Sequence, residues 1–332
     1  MAEPSEDAAL ALLGGSLVKA AQQQGTTPMW RKVAGAWVRL PSASTPWATL
    51  HFVGGAGLGV APQLCYDSFL SGVSESAGIM VVATPYDLAT DHERIAKSVG
   101  KDFEEAFLAC ASDGLGPPAS SPVFRLGHSL GAKLLTILAC QSDSPTCPLG
   151  LLAFNNFGVA ESASYTAKVV AAMQGGQRGA EVGEQIANAI SILKQISVAT
   201  GNEVEFTPSP QELRQLVQES FPADTTTTLW RFISDDLDCS DTIRASFPPT
   251  ASVDELELAG SHLSPVAFSI SLTDIDPVLG ALLNAQGLGA ITLGDEATIS
   301  TIVESVVAWL WPNGLKQPRQ LAAVTSDDVI DV

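Results

Sequence analysis

The chain has 332 residues, of which 46% are hydrophobic and 16% are charged. Acidic residues number 36 against 17 basic ones, which gives a net charge of −19 at pH 7. A surface this negative repels phosphate backbones, so the composition argues against nucleic acid as a partner. The sequence contains no apolar run long enough to cross a bilayer, and we therefore predict no transmembrane segment. Its length suffices for a large core, in one domain or in one domain with an insertion.

The sequence contains five cysteines, an odd number, and no two of them are spaced as a C-x-x-C pair. This pattern is typical of free thiols in a reducing compartment, not of disulfides or a zinc site. We therefore predict no metal and no cofactor. The acidic start of the chain, Met1–Asp7, has the wrong charge for a secretory or plastid leader. It indicates a cytoplasmic protein, or a leader removed from this sequence.

Residues 1–29 are predicted to form an N-terminal extension, and two short β-like runs follow it. From residue 48 to residue 158, apolar runs typical of buried strands alternate with helical patterns. The predicted strands cover residues 47–53, 79–84, 122–126 and 149–154, and the predicted helices cover residues 62–73, 91–111 and 132–139. Such alternation predicts a mostly parallel central sheet with helices on both faces. Functional loops are then expected at the carboxyl ends of the strands.

The alternation stops at residues 159–222, where the pattern is helical. We interpret this stretch as an inserted helical cap over the strand ends; the alternative is a set of surface helices with no role in substrate choice. The sheet resumes with predicted strands at residues 227–233 and 252–258, and a final helix covers residues 298–310. The predicted core is therefore residues 30–158 and 223–312. Residues 313–332 are polar and acidic, and we predict a disordered tail.

The pentapeptide Gly127–Gly131 reads G-x-S-x-G and joins a predicted strand to a predicted helix, with Ser129 at its centre. Glycine suits the outer positions because a Cβ there would collide with the neighbouring strand or helix in so sharp a turn. A serine at the tip of a strand–turn–helix unit is the nucleophile elbow of α/β-hydrolases. The predicted fold class is therefore α/β, an α/β-hydrolase fold with an inserted helical cap.

A serine nucleophile needs a base, and the sequence offers four histidines. His51 lies inside a predicted strand, His92 opens a helix, and His128 is the variable residue of the elbow. His262 follows the strand at residues 252–258, where α/β-hydrolases carry the base. We predict His262 as the catalytic base; the alternative is a loop histidine satisfied by backbone groups.

The acid that orients the base is expected after the preceding strand, where three aspartates crowd the sequence. Asp238 is the first choice because it lies where the turn has left the strand. Asp235 is the runner-up and Asp236 the third choice. Each of them has the alternative role of capping a helix that begins near Ser240. With Asp238, the order serine, aspartate, histidine matches that of the fold.

The negative charge of a tetrahedral intermediate needs preorganised N–H donors. Leu130, which follows the serine at a helix N-terminus, supplies one. The second is expected from the glycine loop after residue 53, with Gly55 and Ala56 as candidates and Gly54 less suited. That loop reads G-G-x-G-x-G, which departs from the dinucleotide fingerprint G-x-G-x-x-G and argues against a nucleotide site.

Several segments, together with the elbow extended to residue 134, carry a resemblance to a known family. They are Phe52–Leu64 (FVGGAGLGVAPQL), Val82–Tyr86 (VATPY), Asp91–His92, Phe154–Phe157 (FNNF) and Phe206–Pro210 (FTPSP). Across about residues 30–312 the chain resembles the α/β-hydrolase-like domain of unknown function 1350 family of plants, algae and cyanobacteria. The resemblance implies an α/β-hydrolase fold and, for eukaryotic members, a chloroplast location. It implies no established substrate.

The same resemblance directs attention to Asn155 and Asn156, which follow the strand after the elbow. The pair is expected either to hold the cap or contact substrate, or to serve as a plain turn. Asp91 and His92 are read as a helix N-cap pair.

These residues together predict a serine hydrolase that cleaves an ester or thioester of a hydrophobic acyl or isoprenoid-like substrate. Ser129, His262 and Asp238 would form the triad of an acyl-enzyme mechanism. The Ala-rich predicted cap favours an apolar substrate, and the negative charge of the chain disfavours highly anionic ones. Two alternatives remain: a lipid- or pigment-binding scaffold without hydrolysis, and a triad-bearing acyltransferase or lyase.

Overall fold

The computed structural model describes residues 29–43, 45–141, 146–162, 205–271, 290–293 and 295–311. Three predictions fall largely outside these residues. They are the N-terminal extension, all but the two ends of the predicted cap, and the acidic tail.

The described residues form ten strands and seven α-helices. The strands are β1 (Trp30–Val33), β2 (Ala36–Arg39), β3 (Thr49–Val53), β4 (Met80–Ala83), β5 (Val123–His128), β6 (Leu149–Leu152), β7 (Thr226–Phe232), β8 (Ser252–Leu258), β9 (Phe268–Ser271) and β10 (Ala290–Leu293). The helices are α1 (Pro62–Cys65), α2 (Asp67–Ala77), α3 (His92–Ser112), α4 (Leu130–Ala139), α5 (Pro210–Ser220), α6 (Ser240–Arg244) and α7 (Glu296–Leu310). Among the described helices, none has both the length and the apolar composition needed to cross a bilayer.

Eight strands form one sheet in the order β1-β2-β4-β3-β5-β6-β7-β8. The pairs β1–β2 and β2–β4 are antiparallel, and every other neighbouring pair of the sheet is parallel. The order confirms the predicted mostly parallel sheet. With the strand–turn–helix at Ser129 beside the centre of the sheet, it is the α/β-hydrolase fold.

Apolar layers cover both faces of the sheet, which is why its parallel strands are apolar on both sides. On one face, Phe69 of α2 and Ile302 of α7 pack with Leu126 of β5. On the other face, Val99 of α3 and Leu134 of α4 belong to a second cluster. The predicted arrangement of helices on both faces is therefore confirmed.

Helix α3 illustrates how the sequence sets these layers. Asp91 caps its start by accepting the N–H of Arg94 at 2.8 Å. Its buried apolar residues recur every four positions at Ile95, Val99 and Phe103, which gives the helix one apolar face. That face packs on the sheet, and the charged face is left to solvent.

Two predictions about elements were wrong in detail. The helix expected over residues 62–73 is two helices, because Tyr66 leaves helical geometry (φ −121°, ψ 14°) and its side chain is fully buried. The sequence predicts no strand after residues 252–258, whereas β9 and β10 follow and pair with each other in a separate two-stranded sheet. Strands β9 and β10 lie outside the alternation of strands and helices that predicted the main sheet, so four residues each gave no sufficient signal.

Candidate active site

Ser129 lies at the sharp turn between β5 and α4. Its backbone has φ 55° and ψ −119°. Residues other than glycine rarely adopt this conformation, because it costs free energy. The turn is held because the Ser129 N–H donates to the carbonyl of Leu152 at 2.9 Å and the Ser129 carbonyl accepts the N–H of Ala132 at 3.0 Å. The fold therefore imposes strain on this one residue and compensates for it with hydrogen bonds.

Gly127 and Gly131 permit this turn for steric reasons. A Cβ on Gly127 would lie 2.5 Å from the backbone nitrogen of Ala132. A Cβ on Gly131 would lie 2.5 Å from the carbonyl oxygen of Gly54, and it would overlap the carbonyl of Val53 as well. Backbone atoms cannot yield as side chains do, so only glycine lets the start of α4 approach the end of β3 this closely.

His262 reaches the serine from the loop after β8. Its Nε2 lies 2.8 Å from the Ser129 Oγ, and the imidazole is buried. The loop turns at Gly260, whose φ of 130° favours glycine, and the Ser261 N–H donates to the Ser264 Oγ at 2.8 Å. The predicted base and the predicted nucleophile are thus within hydrogen-bond distance.

Asp235 lies on the far side of the imidazole. Its two carboxylate oxygens are 2.9 and 3.1 Å from the His262 Nδ1, and its side chain has no exposed surface. A tight turn directly after β7 produces this placement, because the Asp235 N–H donates to the Phe232 carbonyl at 3.2 Å. The Leu237 N–H also donates to the same carboxylate at 2.9 Å, which fixes its orientation.

The structure corrects the first choice for the acid, Asp238. Its carboxylate accepts the N–H and the Oγ–H of Ser240, both at 2.9 Å, and it lies 3.5 Å from the Arg231 Nε. Asp238 therefore caps the start of α6 and does not contact His262. Asp238 follows Asp235 by three residues, and over this length the chain turns so that the Asp238 carboxylate lies at the start of α6. Asp236 is exposed.

Of the three predicted oxyanion donors, one already has a hydrogen-bond partner among the described residues and two do not. The Gly55 N–H donates to the buried Tyr66 hydroxyl at 2.8 Å, so this group is engaged and Gly55 is not a free donor. Within the described residues, the N–H groups of Ala56 and Leu130 have no hydrogen-bond acceptor. Because Val53 pairs with Gly127, the glycine loop continues alongside the elbow and brings Ala56 toward Ser129.

Tyr66 and His128 form a buried network beneath this site that sequence reasoning missed. The Tyr66 hydroxyl accepts the Gly55 N–H, so its own proton is donated to the His128 Nδ1 at 2.8 Å. The His128 Nε2 lies 2.8 Å from the His262 carbonyl, which only accepts, so Nε2 carries the ring proton. Burial lowers the pKa of His128 to about 3, which keeps this tautomer neutral.

The network connects the glycine loop to the loop of the candidate base. Both loops lie at the edge of the sheet where β3 and β8 end, yet these strands are not neighbours. Tyr66 lies between two short helices without any motif around it, so no signal in the sequence identified it.

The structure gives Asn155 a role in loop packing. Its Nδ2 donates to the Leu237 carbonyl at 2.9 Å, and its Oδ1 accepts the Phe157 N–H at 3.2 Å. The side chain therefore ties the turn after β6 to the loop that carries Asp235. This geometry supports the turn role and does not support substrate contact.

Lys133, one turn beyond the serine on α4, is a buried cation. It is 1% exposed, and its Nζ has no hydrogen-bond partner among the described residues but lies 5.4 Å from the centroid of the Phe206 ring. Burial lowers its pKa to about 8, although the charge of Glu205 acts in the opposite direction. His92 stacks on the same ring, and burial together with Lys133 lowers the pKa of His92 to about 3. A lysine in an otherwise apolar helix was the signal for this site.

We predict that Tyr66→Phe lowers the free energy of unfolding by about 2 to 4 kcal/mol, because it leaves the Gly55 N–H and the His128 Nδ1 buried without partners. Urea unfolding followed by tryptophan fluorescence measures the change.

Tyr86→Phe is the matched control. The Tyr86 hydroxyl donates a single hydrogen bond, to the Gly54 carbonyl at 2.8 Å. Its removal should cost about 1 kcal/mol. Equal losses in the two variants would contradict the role given to the Tyr66 network.

Lys133→Met is expected to stabilise the protein at pH 7 by about 2 to 3 kcal/mol, since it replaces a buried, unpaired charge by an apolar side chain of similar length. The pKa of Lys133 is lower in the folded chain, about 8, than its ordinary value of 10.5. The folded state therefore binds fewer protons between these values, and wild-type stability rises with pH across that window.

The advantage of Lys133→Met should accordingly be largest below pH 8 and fade toward pH 10.5, as measured by urea unfolding at a series of pH values. Lys97→Met, at an exposed lysine, should change stability by less than about 0.5 kcal/mol. A gain from Lys133→Met that is independent of pH would contradict the assignment.

Comparison with solved structures gives likeness of architecture at low sequence identity. A hyperthermophilic esterase from the archaeon Pyrobaculum calidifontis is 14% identical, with a TM-score of 0.47, covering 92% of this chain and 94% of the esterase. A soluble variant of monoglyceride lipase from Saccharomyces cerevisiae is 12% identical, with a TM-score of 0.43, covering 85% and 93% of the two chains. The strand order and the elbow of this chain themselves establish its fold.

No protein with a curated description matches the sequence. The family described as "Protein of unknown function (DUF1350)" matches residues 29–277, about three quarters of the chain. The segments that carry the resemblance noted in the sequence lie within this range. The chain therefore belongs to the DUF1350 protein family.

Proposed function

We propose that the protein is a serine hydrolase that cleaves an ester, or a thioester, of a hydrophobic acyl or isoprenoid-like substrate. Ser129 is the nucleophile, His262 the general base and Asp235 the acid that orients it. The observation that supports this proposal is the position of one imidazole between a serine hydroxyl at 2.8 Å and a fully buried carboxylate at 2.9 Å.

The arrangement suits proton transfer in a defined direction. The Asp235 carboxylate accepts the Nδ1–H of His262, which leaves the Nε2 lone pair facing the Ser129 hydroxyl. As the Ser129 Oγ attacks the substrate carbonyl, its proton passes to Nε2, and the buried carboxylate stabilises the resulting imidazolium. The His262 ring then donates that proton to the departing alcohol or thiol.

The tetrahedral intermediate carries a negative charge on the former carbonyl oxygen. In the proposal, the N–H groups of Ala56 and Leu130 donate to this oxygen, and the N-terminus of α4 adds a favourable dipole. Collapse of the intermediate leaves an acyl group on Ser129. Water, activated by His262 in the same way, then releases the acid.

The substrate class is inferred from charge and composition. The net charge of −19 disfavours a highly anionic substrate, which makes coenzyme A thioesters less suitable than neutral esters. The Ala-rich composition of the predicted cap favours apolar acyl or isoprenoid groups. From the family resemblance alone we also propose a chloroplast location, which organelle fractionation of the source cell tests.

We predict that a fluorophosphonate probe labels Ser129 and that Ser129→Ala abolishes the label, because only an activated serine reacts with it. Hydrolysis of p-nitrophenyl esters of graded chain length should disappear in the same variant and be fastest with an apolar chain. Mass spectrometry of the labelled peptide identifies the residue. Binding of an apolar probe without any labelling or turnover would instead support the non-hydrolytic scaffold. Acyl transfer to an added alcohol in preference to water would support the acyltransferase.

Asp235→Asn and Asp238→Asn separate the two aspartates. Asp235→Asn is expected to lower kcat by about 10³- to 10⁴-fold, since the amide cannot hold the imidazole in the required tautomer. Asp238→Asn should leave kcat within about tenfold and lower the free energy of unfolding by no more than about 1 kcal/mol, because an amide oxygen still accepts the Ser240 N–H and only the ion pair with Arg231 is lost. Ester hydrolysis and urea unfolding measure both effects. The reverse order of kcat losses would overturn the assignment of Asp235.

A further inference from the structure

A groove of about 680 Å³ opens at the edge of the sheet opposite the serine. Strand β5 runs from Val123, beside this groove, to His128, beside the candidate triad, so the two sites lie at opposite ends of one strand. Helix α3, the end of α4 and the segments before β5 and β6 surround the groove. We call it the amino-edge groove. Its volume is within the range of ligand pockets.

Arg125 lines the amino-edge groove and has no ion-pair or hydrogen-bond partner in the described part of the chain. The residue is 6% exposed, and its guanidinium makes no ion pair or hydrogen bond within the described residues. Its Nε is shielded from solvent. A guanidinium cannot lose its proton to escape burial, so an unpaired one costs free energy unless an anion or water meets it.

Among the described residues, the neighbourhood of Arg125 supplies no counter-charge. His51, on the adjacent strand and in register with Arg125, has its pKa lowered well below 6.5 by burial and by the Arg125 charge, so it is neutral. Gln141, also in the lining, has a shielded Nε2 without a partner. Two buried nitrogen donors, the Arg125 Nε and the Gln141 Nε2, therefore belong to residues that line this groove, and neither has a hydrogen-bond acceptor within the described residues.

The rim adds positive charge in a chain that is otherwise strongly negative. Lys97 and Lys101, one helical turn apart on α3, line the groove with Arg125, and Glu104 is the one carboxylate in the described lining. The Lys101 Nζ also lies 3.6 Å from a carboxylate oxygen of Glu105, in an exposed ion pair. Among the described residues, three cations and the two carboxylates of Glu104 and Glu105 leave the groove with a positive local charge, although the whole chain carries −19. Such a concentration favours an anionic occupant.

The walls of the amino-edge groove are apolar. Phe103 and Phe107 stack on one another with ring centroids 5.7 Å apart, and Leu138 lines the groove with them. Leu108, also in the lining, is 49% exposed. The lining therefore combines a buried cation with a partly exposed apolar surface, and an occupant that matches both parts is itself amphipathic.

We infer that the amino-edge groove binds an amphipathic anion, with a carboxylate or phosphate head group on Arg125 and an apolar chain along Phe103, Phe107 and Leu108. The planar guanidinium suits either head group, since both present two oxygens to its N–H fork. Lys97 and Lys101 attract the anion from solution. This site is separate from the proposed triad and does not depend on hydrolysis.

Titration of the intact chain with decanoate, decyl phosphate and the neutral analogue decanol tests the inference. We expect both anions to bind at least tenfold more tightly than decanol, and acetate and inorganic phosphate to bind more weakly than their decyl counterparts. Isothermal titration calorimetry, at ligand concentrations below micelle formation, measures the affinities. The tighter-binding of the two anions identifies the preferred head group.

Arg125→Met, which keeps a long apolar side chain, should weaken decanoate binding at least tenfold without lowering the thermal midpoint of the free protein. Lys97→Gln combined with Lys101→Gln, at exposed positions, should weaken it a few-fold and reduce its dependence on salt. The double variant keeps the test valid even if Arg125→Met fails to fold.

Cys147 reports where the ligand binds, because its side chain lines the same groove. Decanoate should slow alkylation of Cys147 by iodoacetamide in the wild type, as followed by mass spectrometry, and should have the same effect in Ser129→Ala. Equal affinities for decanoate and decanol would overturn the inference. So would unchanged binding in both groove variants, or binding that leaves Cys147 unprotected.

Discussion

The close approach of β3 and α4 is the contact on which the site depends. It brings the backbone of Gly131 against the carbonyls of Val53 and Gly54, at distances that exclude any side chain. The same approach forces Ser129 into its strained conformation and leaves the Ala56 and Leu130 N–H groups without acceptors among the described residues. One steric constraint therefore places the candidate nucleophile and these two N–H groups together.

Residues from separate strand ends complete the arrangement through hydrogen bonds instead of apolar contact. Asp235 and His262 lie on the turns after β7 and β8, and Asn155 ties the turn after β6 to the first of these. Tyr66 and His128 join the glycine loop to the His262 backbone from below. A buried network with every member satisfied holds loops rigidly, because any displacement leaves a polar group without a partner.

Two buried cations, in contrast to this network, have no hydrogen-bond partner among the described residues. Lys133 and Arg125 are nearly inaccessible, and the described residues offer neither of them a hydrogen bond. Lys133 reduces the cost through a lowered pKa, whereas a guanidinium has no such route. This difference is why the unpaired arginine at the edge of the sheet points to a ligand, while the lysine beside the elbow points to a pH-dependent stability.

The sequence by itself determined the fold class and the positions of the sheet strands along the chain, and it indicated Ser129 and His262 as the candidate nucleophile and base. Periodicity and the spacing of Gly127, Ser129 and Gly131 are local properties, and a sequence displays them directly. Only the tertiary structure decided which aspartate contacts His262. Asp235 and Asp238 lie three residues apart in one turn, and the backbone hydrogen bonds of that turn determine which carboxylate faces the imidazole. Only the tertiary structure also showed that the Tyr66 hydroxyl accepts the Gly55 N–H. Contacts between residues distant in the chain arise from packing, which no local pattern encodes.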